Sequence, residues 1–152
     1  MRKNISIVDD FITNDEINLL LNFYKENKSL VFKFRDTYPL KIDNYFFELR
    51  NKINMFFKSL DICVDWWEVV HWPTNSFQHL HCDDTSEKTT LTSILYLNNN
   101  FNGGETYFED GTIISPKLNR CLIFDGKKYK HGVNKINNGD RYTLAIWYKN
   151  NI

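Results

Sequence analysis

Two segments of the 152-residue chain carry side chains suited to metal chemistry: His79-Leu80-His81-Cys82-Asp83-Asp84 and, far downstream, His131-Gly132-Val133. In an extended strand alternate side chains share a face, so His81 and Asp83 point together while Cys82 points away. A mononuclear iron(II) centre of the facial type takes two imidazoles and one carboxylate and leaves open positions for substrates. His131 is the natural third ligand. The same period of two puts His79 on the His81 face, so spacing alone leaves His79 open as a ligand. Asp84 cannot share the face of Asp83 and reads as a turn or cap residue.

The frame for these residues is a run of short strands that starts near Val64. Strands are expected near 66–72, 78–82, 91–97, 106–108, 112–114, 121–124, 132–135 and 142–149, separated by turn chemistry at Asn98-Asn99-Asn100, Gly103-Gly104, Glu109-Asp110-Gly111 and Asn137-Asn138-Gly139-Asp140. The Gly103-Gly104-Glu105-Thr106 turn is expected to be structural, and the last two turns read as hairpins. Eight strands fit a double-stranded β-helix, a small jelly roll. On the last strand Arg141, Thr143, Ala145 and Trp147 share one face, and an inward arginine there implies a carboxylate partner, because an unpaired buried charge is costly. On the strand 91–98, Thr92, Ile94, Tyr96 and Asn98 share a face.

Upstream, Ile5-Ser6-Ile7-Val8 reads as a short strand. Thr13 with Glu16 three residues on is a capping box, and the buried face of Ile17, Leu20, Leu21 and Tyr24 predicts a helix over 15–25. Leu30 to Phe34 reads as a strand, and Arg35 to Pro39 as loop. Phe46, Leu49, Ile53, Phe56, Phe57 and Leu60 recur at helical spacing and predict a second helix over 44–60. The expected fold is therefore α+β but mainly β, one domain over 1–152: a helical support region at 1–62, its two N-terminal helices packed on one sheet, and a jelly-roll core at 63–152.

Nineteen Lys plus Arg balance nineteen Asp plus Glu, so no whole-chain field favours nucleic acid or an anionic membrane. The N-terminus lacks an apolar stretch suited to a signal peptide or a membrane helix, which sets the expectation of a soluble cytoplasmic protein. Cys63, Cys82 and Cys121 are odd in number and lack C-x-x-C spacing, against both a disulfide framework and a structural zinc site. Composition says nothing of oligomeric state.

Trp72 to Asp83, Thr92 to Asn98, Gly103-Gly104-Glu105-Thr106, Ser115-Pro116-Lys117, Cys121 to Phe124, His131-Gly132-Val133 and Arg141-Tyr142 resemble, in order and spacing, the 2-oxoglutarate and iron(II)-dependent dioxygenases of the prolyl 4-hydroxylase-like branch. The resemblance implies His81, Asp83 and His131 as the metal ligands, deciding for His81 over His79. It gives Arg141 the distal carboxylate of 2-oxoglutarate, with Tyr96 donating its hydroxyl to the same group. Trp72 stands where many relatives have tyrosine, which alters the pocket wall. His71, on the opposite face, is expected to be structural. The cofactors implied are Fe(2+) and 2-oxoglutarate, with ascorbate admitted as a reductant. The partners implied are dioxygen and a peptide or small-molecule substrate, with no nucleic acid and no membrane. The reaction implied is hydroxylation of an unactivated C–H bond, such as that of a prolyl residue, with release of succinate and CO2. Retention of a carboxylate at Asp83 argues for hydroxylation over halogenation. The short loops Thr85 to Thr90 and Lys127 to Lys130 border an open groove suited to a peptide. Two competing readings are a cupin-like metalloenzyme that does not use 2-oxoglutarate and a non-catalytic jelly-roll binding module.

Overall fold

The period of two breaks once along the longest strand, and the break sets which side chains face the helices and which face the cavity. In β3 (Ile62–Trp72), Ile62 and Val64 pack toward the helices, yet so do Trp67 and Val69. The parity changes because pairing with β12 (Arg141–Asn150) slips by one residue: Trp147 pairs with Trp66, but Tyr148 pairs with Val64. Such a bulge re-aims every side chain beyond it. Trp66, Glu68, Val70 and Trp72 are thereby turned inward to line one cavity.

The computed structural model describes residues 4–151; Met1–Lys3 and Ile152, included in the single-domain expectation, lie outside the described residues. β1 (Ser6–Val8), β2 (Tyr38–Lys41), β5 (Thr89–Tyr96) and β9 (Cys121–Phe124) complete a six-stranded antiparallel sheet in the order β1-β9-β5-β12-β3-β2. β4 (Gln78–His81), β7 (Thr106–Phe108), β8 (Ile113–Ile114) and β10 (His131–Val133) form a second sheet in the order β4-β10-β7-β8. β6 (Asn102–Gly103) and β11 (Ile136–Asn137) pair only with each other. All eight expected core strands form and make the double-stranded β-helix. Among the described residues no helix is long and apolar enough to cross a membrane.

Helix α1 (Asn14–Glu26) opens on the capping box: Thr13 accepts from the Glu16 amide, and Glu16 accepts from the Thr13 amide. Its buried Ile17, Leu20 and Tyr24 meet Leu49 and Ile53 of α2 (Phe47–Phe56) over Trp67, Leu95, Leu144 and Tyr148, so both helices back the large sheet as expected.

Four local expectations are corrected. Leu30 to Phe34 is not a strand: a 3-10 turn spans Lys28–Leu30, and Phe34 only bridges to Thr37. The strand is instead Tyr38–Lys41, which was read as loop up to its proline; Pro39 is tolerated because β2 is the sheet edge. The second helix starts at Phe47 rather than Asn44, because Phe46 adopts φ 59, and it ends at Phe56 before a separate 3-10 turn at Lys58–Leu60. Asn137 to Asp140 is a turn, with Asn138 at φ 51, but not a hairpin: β11 pairs with β6, while β12 pairs with β3 and β5.

Packing of α1 should outweigh its cap. Leu20→Ala is expected to destabilise by about 2–5 kcal/mol and Thr13→Ala by about 1 kcal/mol, measured as shifts in urea midpoint; a cap effect equal to the core effect would contradict this ranking.

Candidate metal centre and its cavity

β4 and β10 are neighbours in the small sheet, and their register sets His131 opposite His81. Asp83 lies two residues past the end of β4, its amide donating to the Gly126 carbonyl at 2.8 Å. One donor atom from each of His81, Asp83 and His131 falls within 4.8 Å of the others. His131 Nε2 is 3.1 Å and His81 Nε2 3.6 Å from Asp83 Oδ1. The opposite edges of both rings are fixed: His81 Nδ1 lies 2.9 Å from the His79 carbonyl, and His131 Nδ1 2.9 Å from the Tyr129 carbonyl. A carbonyl only accepts, so each Nδ1 carries a proton, and in the neutral ring Nε2 offers its lone pair. Two imidazole lone pairs and a carboxylate then converge on one point, an arrangement that needs a cation or a proton between them.

The second oxygen of Asp83 is held separately. Thr92 donates its hydroxyl to Oδ2 at 3.0 Å, and the Trp147 indole donates at 3.3 Å. Burial pushes the Asp83 carboxyl up, but with a proton in the place of a metal on Nε2, hydrogen bonds from His131 and His81, the charge of His131 and the Thr92 hydroxyl hold it well below the usual carboxylate range. It is an anion at neutral pH. A Cβ on Gly126 would fall 2.1 Å from Asp83 Oδ2 and 2.7 Å from Thr92 Oγ1, so only glycine lets this loop pass. His79 is exposed, its ring 5.0 Å from that of Phe77, and lies outside the cluster. Cys82 is exposed, as the alternation requires.

The cluster opens into a cavity of about 370 Å³. Arg141 forms part of its lining and is 1% exposed. No carboxylate of the described residues pairs with it, so the carboxylate partner expected for an inward arginine is not supplied by them. Its Nη2 donates to Thr106 Oγ1 at 3.3 Å, and its Nε has no partner. The guanidinium carbon lies 4.8 Å from the Trp72 ring centre and 5.2 Å from that of Tyr96, so both rings give Arg141 a π face. The Tyr96 hydroxyl shares a 2.6 Å hydrogen bond with Thr106. Burial pulls the guanidinium down from its usual value. Gly104, at φ 69, would bring a Cβ within 3.2 Å of Arg141 Cδ, which makes the Gly103-Gly104 turn structural. His71 lies apart from this cavity, stacked on Tyr142 at 4.6 Å.

The lining of the same cavity includes Glu68. Burial pushes its carboxyl up to about 7, with Lys41 pulling down and Asp43 pushing up. Thr92, Trp147, Gly126 and Glu68 were not singled out from the sequence, although alternation already put Thr92 and Trp147 on inward faces. Gly126 carried no signal, because its role is to occupy no space.

Residues 67–149 match the model of the 2OG-Fe(II) oxygenase superfamily, more than half of the chain. The chain belongs to the 2OG-Fe(II) oxygenase superfamily. Iron(II) and 2-oxoglutarate are accordingly its metal and cosubstrate, and the donor set and the unpartnered buried arginine fit them. The human prolyl 3-hydroxylase 1 is 34% identical over 64 residues, a stretch that covers 38% of this chain and 9% of that protein. Among solved structures, the viral collagen prolyl hydroxylase of Paramecium Bursaria Chlorella virus-1 superposes with a TM-score of 0.77 at 21% identity, covering 97% of this chain and 96% of that one. A Trichoplax adhaerens prolyl hydroxylase in complex with a hypoxia inducible factor oxygen degradation domain peptide gives 0.80 at 17% identity, covering 97% and 84%. At these identities the likeness shows that this oxygenase shares their fold.

Two outcomes test this description. Gly126→Ala should lower divalent metal affinity roughly tenfold or more by displacing Asp83, as loss of support around a ligand typically does; unchanged affinity in a manganese(II) titration would contradict it. Glu68 has a folded-state pKa above its unfolded value of 4.5, so its contribution to stability is present below pH 4.5 and lost as pH rises through about 7. Glu68→Gln, which stays neutral, should therefore gain roughly 1–3 kcal/mol on the parent between mildly acidic and mildly alkaline pH, read from urea midpoints.

Proposed function

We propose that this oxygenase hydroxylates an unactivated C–H bond of a peptide, a prolyl residue by the likeness to prolyl hydroxylases, with iron held by His81, Asp83 and His131 and 2-oxoglutarate held by Arg141. The observation that carries this reading is Arg141: a guanidinium 1% exposed, without a carboxylate partner among the described residues, lining the cavity that also holds the His-Asp-His cluster. A buried cation in that setting calls for an anion from outside, and its planar fork suits a carboxylate bidentately. With iron, 2-oxoglutarate and dioxygen bound, the centre would supply oxidative decarboxylation to succinate and CO2 coupled to C–H hydroxylation, one oxygen atom of dioxygen going to succinate and the other to the new hydroxyl group.

The chain's own share is positioning. Thr106 orients the guanidinium through Nη2, and Tyr96 fixes Thr106 by sharing its hydroxyl, so Tyr96 acts on the cosubstrate site chiefly through Thr106. Thr92 and Trp147 take Oδ2 of Asp83, which leaves Oδ1 facing the two imidazoles. The carbonyls of His79 and Tyr129 keep the protons of His81 and His131 on Nδ1. Val70, Val133 and Ala145 give the cavity between Arg141 and the cluster an apolar wall that limits water there.

Iron(II) and 2-oxoglutarate added without oxygen should give the weak visible charge-transfer band of the ternary complex, and air should then release succinate slowly even without a substrate. Asp83→Gly should abolish turnover while retaining some cosubstrate-dependent iron binding. Arg141→Ala should keep iron but weaken 2-oxoglutarate binding by about 2–5 kcal/mol, some 30-fold or more. A wild-type protein that yields no succinate above the Asp83→Gly background would remove the enzymatic reading.

A further inference from the structure

Glu68 is the one carboxyl lining the cavity whose place neither the metal cluster nor the cosubstrate explains and which is mostly buried. It stands on the inward face of β3 between Trp66 and Val70, and its register partner on β12 is Ala145, too short to cover it. Among the described residues it makes no hydrogen bond or ion pair. Besides Arg141, which lies over Trp72 and Tyr96, two Lys or Arg side chains line the same cavity, and each lies over a ring instead: Arg35 over Phe34 at 5.3 Å and Lys41 over Phe32 at 6.0 Å. Lys41, the register partner of Glu68 on β2, is near enough to favour its ionised form but does not contact it.

A partly desolvated carboxyl with no partner among the described residues costs stability, and the cavity that it lines gives a donor access to it. The surroundings narrow the choice of donor. Trp66 stacks flat on Trp147, with centroids 3.7 Å apart at 7°, on the same wall, and the exposed Phe32, Phe34 and Phe77 extend the lining to the surface. Aromatic faces beside an acid form a receptor for an organic cation carried on an apolar stem. A lining that continues outward over exposed rings suits a chain longer than the cavity itself.

We propose that Glu68 is a specificity-determining residue that pairs with a basic side chain of the peptide substrate, a lysine or arginine next to the residue that is hydroxylated. This rests on the oxygenase reading above and adds the charge of the substrate to it. The cation supplies the partner that Glu68 lacks among the described residues, and its stem lies along the Trp66 and Phe32 side of the groove.

The test uses three proline-containing peptides that are identical except for Lys, Gln or Glu beside the proline, titrated calorimetrically without oxygen into protein loaded with iron(II) and 2-oxoglutarate. The Lys peptide should bind about tenfold tighter than the Gln peptide, with the Glu peptide weakest. Glu68→Gln, expected to be well folded near neutral pH, should bring the Lys peptide to the level of the Gln peptide and leave the Gln peptide as it was. Glu68→Lys should reverse the order. Equal binding of the three peptides, no binding of the Lys peptide, or a preference that survives in Glu68→Gln overturns the assignment. The charge-transfer band needs no peptide, so its loss in the parent protein would instead remove the oxygenase reading.

Discussion

Three electron-pair donors held face to face are unfavourable without a cation, and much of this molecule is arranged to hold them there. His81 and His131 come from strands that pair, so their separation is set by the backbone ladder rather than by flexible side chains. Asp83 is not on the ladder and needs more help: its amide is tied to Gly126, and its second oxygen to Thr92 and Trp147, which are opposite one another on β5 and β12. The large sheet therefore fixes the carboxylate and the small sheet fixes the imidazoles. The cluster is the seam between the two sheets, and rigidity of that kind is what a positioned metal centre requires.

The second charge in the cavity is handled differently. Arg141 is desolvated without a counter-charge, and the chain offsets this with two π faces and one hydroxyl. Cation–π contacts recover only part of the hydration that a guanidinium loses. In the function proposed above, the unmet remainder is what gives the site its affinity for an external carboxylate. A tyrosine in place of Trp72 would offer a smaller face, so the tryptophan is consistent with a site that keeps its arginine charged while empty.

Legibility in the sequence follows how local the determining physics is. The capping box at Thr13 and Glu16, the alternation of β12 and the H-x-D spacing depend on neighbours a few residues apart, and all three appear as read. Choosing His81 over His79 needed the family pattern, since alternation places both on one face; in the structure His79 packs on Phe77. β2 was missed because a proline argues against a strand unless the strand is known to be at the edge, and edge position is a property of the whole sheet. The Asn137-Asn138-Gly139-Asp140 turn has hairpin chemistry, yet its flanking strands find distant partners. Gly126 matters through the space it leaves for Asp83, 43 positions earlier in the chain, and no local pattern encodes that.

Trp147 joins the two halves of the argument. Its indole nitrogen holds Oδ2 of Asp83, while its ring stacks on Trp66, the neighbour of Glu68 on the inward face of β3. An indole is rigid and planar, so its nitrogen cannot move independently of its face. In the binding mode proposed above, a chain seated along the Trp66 wall would meet the same stack that holds the carboxylate. The aromatic wall and the brace on Asp83 share a single side chain because the bulge in β3 turns Trp66 inward opposite Trp147; with unbroken alternation Trp66 would face the helices, and Trp147 would lose the ring stacked on its face.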